Sequence, residues 1–481
     1  MTYTASGCVC LVIIVSALLQ SCVTDEHSTS VLTDQRPLLS ESEQRLTTVG
    51  LGQPLHTNSG SEYALDALLT QGPLSEESAI QVALRENRRL RAHYQTLGIA
   101  QGQLLQAGLL RNPVIDAPIT FFSSGTEFEG GLFHPIIDVF RRPLKEAVAS
   151  HHLEAERVGA CIEILQLIFD VKRAYLQLSV ARADLELQRS VHQTMNGIAE
   201  LNRILHDAGN TTPLVMATSD LAAAQSRLDL SGRQSTVIEW EEEITRLLGL
   251  YGKHASASYA SIPLTGPLPT PLLTTQSPGL EERVIMNSLQ LQRGRAEAES
   301  LSQRLALEGV RGSVPDMHVG ANVMRESDGA VGAGPALELE LPIFDHGQGE
   351  VMIANARLSR LLIMNEDLAV NLRSNARRLR DRLTMMSDRS QYYDEYVVRK
   401  AVEVTARVLE DYNAMQISAM KFLEAKAREL SVRRGALMAR KEAMIAHLDL
   451  LALLSGIDVG KLSVPSLGNA AMDSGSETGD H

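Results

Sequence analysis

Residues 331–343 read VGAGPALELELPI, and within them Leu337, Leu339 and Leu341 alternate with Glu338 and Glu340. A two-residue period of apolar and charged side chains is the signature of a β-strand with one greasy and one wet face. That alternation suits a barrel wall with lipid outside and water inside. Residues 314–324 (VPDMHVGANVM) form a second strand-like run just upstream, separated from the first by Glu326-Ser327-Asp328-Gly329. Together they predict a hairpin.

Working outward, the same plan occurs earlier in the chain. Residues 113–122 (PVIDAPITFF) and 127–140 (EFEGGLFHPIIDVF) are poor in helix formers and separated by Ser123-Ser124-Gly125. Each run is about ten residues, the length of a tilted membrane-spanning strand. A helix is expected from Ser75, with the acidic pair Glu76-Glu77 in its first turn, to Leu110, where Asn112-Pro113 ends it. From Pro143 to Asp207 the helical period returns, with Val148, Ala155, Val158, Ile162, Leu165, Phe169, Leu176 and Ala183 on one stripe. Ile164, Val171, Leu178 and Leu185 make a second stripe, so this helix needs neighbours on two sides, as in a tube wall. Its length would be roughly 90 Å at 1.5 Å per residue. Residues 208–214 (AGNTTPL) break it, and another helix runs to Leu250.

After a Ser-, Thr-, Pro- and Gly-rich linker at 251–279 the order repeats. A helix is expected over 280–310, then the hairpin, then a long helix carrying Val351, Ala354, Leu358, Leu361, Leu368, Leu372 and Leu379, then a break at 412–419 and a last helix to Leu454. Duplication on this scale decides the fold before any motif does. Four strands cannot close a barrel, for which eight is the usual minimum, so the chain must oligomerise; three copies supply twelve strands.

Composition agrees and excludes other classes. Of 481 residues only 4% are aromatic while 44% are hydrophobic, the usage of long helices packed side by side. A net charge of -13 argues against nucleic acid as a partner. No Gly-rich phosphate loop, His-Glu-x-x-His or Cys-x-x-Cys is present, so neither an enzyme nor a cofactor is expected. The adjacent His151 and His152 point apart on a helix, and the 15 Met residues are spaced as packing side chains. Cys161, alone in the body of the chain, reads as a small core residue rather than half of a disulfide.

At the N-terminus, residues 11–19 (LVIIVSALL) have the dimensions of a signal-peptide apolar region. Leu19-Gln20-Ser21-Cys22 resembles the lipobox of bacterial lipoproteins, with Cys22 the lipidated residue. Val23 stands where an Asp would retain the protein in the inner membrane, which favours the outer membrane. The expected organisation is a signal peptide at 1–21, a lipidated, extended arm at 22–73, a first repeat at 74–250, the linker at 251–279, a second repeat at 280–456 and a disordered tail at 457–481.

This duplicated plan resembles the TolC-like outer membrane factor family over roughly residues 74–456. The opening helix Leu74 to Leu90, the run Gln106 to Pro113, the turn Leu341-Pro342-Ile343-Phe344-Asp345-His346-Gly347-Gln348-Gly349 and the paired helix breaks carry the resemblance. It implies a mainly α fold with a small β part: a trimeric twelve-strand outer-membrane β-barrel continued by a twelve-helix periplasmic α-barrel. The implied partners are two further copies, a periplasmic adaptor (membrane fusion) protein, an inner-membrane pump of the RND type and outer-membrane lipid. The implied function is a passive exit channel of a tripartite efflux system. The Pro342 to Gly349 turn is similar to the heavy-metal efflux branch; metal ions and drugs both remain open as substrates, as do a type I protein secretion duct and, from another class, a periplasmic coiled-coil scaffold.

The family's tip motif maps onto the helix breaks. In the second repeat Tyr412 fits the family's Tyr, Met415 stands where Gly is expected, and Lys421 and Glu424 take two acidic places. In the first repeat His206 takes the Tyr place, Gly209 fits the Gly and Leu214 the Leu, while Val215 and Thr218 match Lys421 and Glu424 in position. Three-fold symmetry would gather Glu424 into a ring of carboxylates that attracts cations, with Lys421 one turn away and placed to pair with it.

Overall fold

The computed structural model describes residues 36–51, 72–122, 125–262, 264, 279–325, 330–340 and 342–458. The signal peptide, Cys22, Leu341 and most of the expected linker and tail lie outside them. Helix α1 spans Arg36–Thr48; the first repeat holds α2 Glu76–Glu86, α3 Arg88–Gly108, β1 Val114–Asp116, β2 Ile119–Phe122, β3 Gly125–Pro135, α4 Ile137–Asp207 and α5 Pro213–Leu248. The second holds α6 Leu280–Asn287, α7 Leu289–Ser313, β4 Met317–Arg325, β5 Val331–Leu339, α8 Gln348–Tyr392, α9 Val398–Asn413 and α10 Ala419–Ser455. A π-turn at Tyr393–Val397 joins α8 to α9 without a break.

Both opening helices are kinked where one continuous helix was expected. Asn87 caps α3, its side chain accepting from the Leu90 amide at 3.0 Å and donating to the Leu247 carbonyl at 2.7 Å. Ser288 caps α7 in the same way, accepting from the Leu291 amide at 3.3 Å. Each kink receives the glycine cap of its repeat's last helix. Gly249 (φ 71°) lies so close that a Cβ would sit 2.7 Å from the Glu86 carbonyl oxygen, and Gly456 (φ 108°) so close that one would sit 2.4 Å from that of Asn287.

The kinks stack short helices end to end. α5 abuts α3, α10 abuts α7, and the long α4 and α8–α9 run the whole length. The chain therefore makes a wall of four helical columns. Near the sheet their order is α3, α4, α7, α8; below the kinks it is α5, α4, α10, then α8 and α9. With 71 residues α4 is about 105 Å long at 1.5 Å per residue. The core concentrates at the kink level, where Ile80, Leu90, Ile164, Leu165, Ile168, Tyr175, Leu248 and Leu289 are almost fully buried.

The expected extended arm contains α1 instead. Leu38, Leu39 and Leu46 bury its apolar face in the same core, and Arg45 donates to the Asn287 carbonyl at 3.0 Å. The beginning of the linker is also ordered: Tyr259 packs edge-on to Tyr175, pairs as an isolated bridge with Leu74 and is held by Arg182 through its carbonyl at 2.7 Å.

The strand boundaries differ from the sequence reading. β3 ends at Pro135, and α4 begins at Ile137 rather than Pro143, because the Asp138 and Arg141 side chains are fixed by ion pairs that favour the helix there. Pro143 sits in the second turn, where it removes one helical hydrogen bond and its ring crowds the Val139 carbonyl, a cost the neighbouring ion pairs offset. β5 stops at Leu339, so the alternation read to Leu341 covers less chain than expected.

Candidate channel-forming surfaces and helix tips

The sheet is antiparallel with the order β1-β3-β4-β5, β2 also pairing with β3. Val114 faces Phe133 and Ile119 faces Phe128 with no shift of register, so β1 and β2 are one strand interrupted at Ala117-Pro118. The sheet is thus four strands wide with two open edges.

Directly opposed residues share a face. One face carries Ile115, Leu132, Val319, Ala321, Val323, Val331, Leu337 and Leu339, linked by the pairs Ile115 with Leu132, Leu132 with Ala321 and Val319 with Leu337. It stands bare: Ile115 is 72% exposed and Leu337 65%. The other face carries Asp116, Glu129, His318, Asn322 and Glu338, interspersed with Gly131, Gly320, Gly332 and Gly334. Phe133 lies over Gly131 and Gly320, where a Cβ would collide with its ring. Water could not solvate such an apolar face without large cost, so the sheet calls for an apolar environment on one side only.

Ion pairs lock this sheet to the helical wall. Asp138, on the first turn of α4, receives Arg111 from the segment before β1 and Lys145 at 2.8 Å. Burial alone would raise its carboxyl, but those hydrogen bonds hold it down to about 2. Arg141 donates to Asp316 and to the Val314 carbonyl at 2.7 Å, joining the first repeat to the strand that opens the second hairpin.

Lower down, Asp184 of α4 is 4% exposed and ties two other columns together. Arg233 of α5 approaches it at 3.2 Å and Arg434 of α10 at 2.8 Å. Burial pushes its carboxyl up, and Arg434 opposes that only in part.

The two tips share one backbone. Gly209 donates to the His206 carbonyl at 2.8 Å and Asn210 to Leu205 at 2.7 Å; Met415 donates to Tyr412 at 2.9 Å and Gln416 to Asp411 at 2.9 Å. This is the Schellman pattern, which requires a left-handed residue after the helix. Gly209 supplies it with φ 76°; Met415 does so with φ 60°, the one non-glycine residue with positive φ among the described residues. Met415 thus occupies the geometric place of a glycine, is 94% exposed, and pays the steric cost of its Cβ there.

The other tip residues lie beside these two caps. Tyr412 stacks on Phe422 at 6.1 Å, and His206 Nδ1 lies 3.3 Å from the Thr211 carbonyl oxygen. Leu214 is 72% exposed on the first turn of α5. Lys421 and Glu424 are both exposed near the start of α10, but no ion pair links them. The i, i+3 pair expected there is absent; each side chain is free to reach another surface.

Sequence reasoning missed the Asp184 and Arg141 ties. Their spacing in the chain is long, and only a buried Asp or Arg in an apolar stripe could have signalled them. Cys161 is buried as expected, beside Glu41, and burial pushes its thiol up to about 12. Among the described residues no cluster of three or more His, Cys, Asp or Glu could hold a metal ion, and no helix is long and apolar enough to cross a membrane.

No protein-family model matches the chain. Among curated proteins it is similar to the cobalt-zinc-cadmium resistance protein CzcC of Cupriavidus metallidurans, with 25% identity over 296 residues, 59% of this chain. That match spans 66% of the relative's own length, just short of two thirds. Among solved structures it is similar to CusC, whose structures concern folding and transmembrane channel formation, with TM-score 0.63 and 15% identity over 84% of this chain and 96% of that one. It is also similar to the open state of the Neisseria gonorrhoeae MtrE outer membrane channel, with TM-score 0.63 and 14% identity over 80% and 89% of the two chains. The chain thus shares the fold of solved channel proteins, CusC and the MtrE outer membrane channel among them.

Proposed function

We propose that three copies of this chain form an outer-membrane exit channel of a tripartite efflux system. The observation that carries the reading is the bare amphipathic sheet, four strands wide with two open edges and continuous with a four-column helical wall. Three such sheets give twelve strands with the apolar face to lipid and the face of Asp116, Glu129 and Glu338 to a watery lumen. Three such walls give twelve columns, a tunnel on the order of 100 Å long. In this reading Cys22 carries the lipid that helps anchor the protein, the helical tips meet a periplasmic adaptor, and an RND-type inner-membrane pump supplies the energy.

The similarity to a cobalt-zinc-cadmium resistance protein favours divalent metal ions as the substrate class over drugs. Metal here is cargo, so no resident metal centre is needed. The test is tolerance: removal of this chain from its host should sensitise cells to zinc, cobalt or cadmium, and restoring it should reverse the effect. Sensitivity to drugs with unchanged metal tolerance would reassign the cargo.

A further inference from the structure

The buried stripe of the second repeat's long column slips by one residue at the π-turn. Through α8 it keeps a seven-residue period, as Ala354, Leu361 and Leu368, then as Ala376, Leu383 and Ser390. Continued unbroken, that period would next bury Val397 and Val404. In α9 the buried residue is Thr405 instead, fifteen residues beyond Ser390. The first repeat shows no slip: in α4 Leu185 and Ala199, and again Gln188 and Asn202, are buried fourteen apart. Ala199 and Thr405 each lie ten residues before the left-handed residue of their tip, so the two columns agree below the turn and differ by one above it. The Tyr393–Val397 turn takes up the extra residue, the Val398 amide donating to the Tyr393 carbonyl five residues back.

Helix α9 has a second face to offer α10. In the present one, half-buried Val398, Ala401 and Val408 flank Thr405, whose hydroxyl donates to the Ala401 carbonyl at 3.0 Å and lies 3.5 Å from that of Ala425 in α10. Turning α9 by about 50°, half the angle between successive residues, replaces Val398 and Thr405 by Val397 and Val404. Ala401 and Val408 stay in the seam. The new set is wholly apolar and is the one that continues the α8 period, yet Val404 is now 52% exposed. Little within α9 opposes the turn. Glu403 pairs with Lys400 at 2.8 Å and with Arg407 at 3.0 Å, and all three move together. Above, the column is fixed: Tyr393 packs on Gly435 of α10 so closely that a Cβ there would stand 3.2 Å from its ring, and Asp394 lies 3.5 Å from Arg440.

We propose that α9 has two registers against α10. One is the register seen, with Thr405 buried and the extra residue held in the π-turn. In the other Val404 is buried and the extra residue is passed down to the tip. Two packings of similar surface on one fixed scaffold make a two-state element. Met415 already holds left-handed backbone without being a glycine, which marks this tip as the place that takes up the slack. As α9 turns, Tyr412 leaves Phe422 and the second tip shows a different surface, while the first tip, whose column carries no extra residue, keeps one form. The change belongs to a single chain and holds for any number of copies.

Cysteine pairs in the full chain read the register directly. Thr405→Cys with Ala425→Cys should oxidise to a link within one chain, seen as a gel-mobility shift that reductant reverses and that neither single variant gives. Val404→Cys with Ala425→Cys should link as well, more slowly by roughly ten- to a thousand-fold if the second register is a minor state of about 0.1–10%. Deleting Glu395 removes the extra residue and leaves the present face on an unbroken helix. In that background the Thr405→Cys pair should link as before and the Val404→Cys pair should not. A Val404→Cys pair that links no faster with Glu395 present than without it overturns the two registers, and leaves Val404 as surface for another chain to cover. Should the deletion unfold the column, the Thr405→Cys link is lost too, and Val397→Asp takes its place by charging the second face. It should slow the Val404→Cys link at least several-fold and spare the Thr405→Cys link; no effect on either overturns the proposal.

Discussion

Arg141, in the second turn of α4, donates to Asp316 and to the Val314 carbonyl, so the long helix of the first repeat holds the chain just before the first strand of the second hairpin. The two hairpins lie side by side in one sheet because of pairing between β3 and β4, and this ion pair fixes that pairing at its lower end. Arg141 is 5% exposed, and its removal leaves a carboxylate without its partner. Arg141→Met should therefore cost about 2–3 kcal/mol. Heat-induced unfolding followed by circular dichroism should show the loss, and Arg141→Lys should recover only part of it. An unchanged melting curve would show that the pair does not hold the junction.

Acid should act on the same junction through Asp138. Its carboxyl is held down to about 2 by Arg111 and Lys145, below the usual carboxylate value. A depressed folded pKa gives stability that is present above about pH 4 and is lost as pH falls toward 2. Asp138→Asn should be destabilised at neutral pH and show a shallower further loss between pH 4 and 2. Parallel pH curves for the two proteins would remove Asp138 from the acid response.

Met415 stores local strain that glycine would not. Left-handed backbone costs a residue with a Cβ roughly 1–2 kcal/mol. Met415→Gly should slow hydrogen exchange of the tip amides at Met415 and Gln416, about fivefold for each 1 kcal/mol of relief. Gly209→Ala should speed exchange at the first tip to a similar degree. Unchanged exchange in both would mean that the two tips do not share the cap.

The glycine caps at the kinks make a sharper case. At Gly249 and Gly456 the left-handed conformation coincides with a backbone oxygen where a Cβ would stand. Gly249→Ala and Gly456→Ala should each cost about 2–3 kcal/mol, more than strain alone. Gly232→Ala, on an open face of α5 with nothing near its Cβ position, is the control and should be neutral or slightly stabilising. Equal melting temperatures for all three would refute the tight fit at the kinks.

Much of this fold could be read from the sequence because its signals are periodic. The heptad-like stripes of α4 and α8, the Leu337–Glu338–Leu339 alternation and the repeat of both plans each extend over many residues. The helix breaks were legible for a related reason, since AGNTTPL and the 412–419 segment interrupt long helical patterns. The cap that His206 to Gly209 and Tyr412 to Met415 share was not, because a Met in place of Gly gives no sign of left-handed backbone. The kinks were not legible. Asn87 and Ser288 stand inside runs of good helix formers, and only the packing of Gly249 and Gly456 against them explains why the helix bends there. Helix α1 was missed because Leu38, Leu39 and Leu46 are a weak pattern in a polar stretch until α4 and the neighbouring kinks supply their core. The start of α4 was placed late because Ile136 to Phe140 look like strand residues, and the ion pairs of Asp138 and Arg141 that decide otherwise come from distant parts of the chain.

Conductance tests the channel reading most directly. Purified protein added to planar lipid bilayers should insert as oligomers and give discrete, cation-favouring current steps, and Glu424→Ala should weaken that preference. Discrete currents indifferent to Glu424→Ala would keep the channel and move its selectivity to the sheet face of Asp116, Glu129 and Glu338. Failure of the wild-type protein to insert or conduct, in preparations shown to be folded, would contradict the reading and leave a periplasmic helical scaffold in its place.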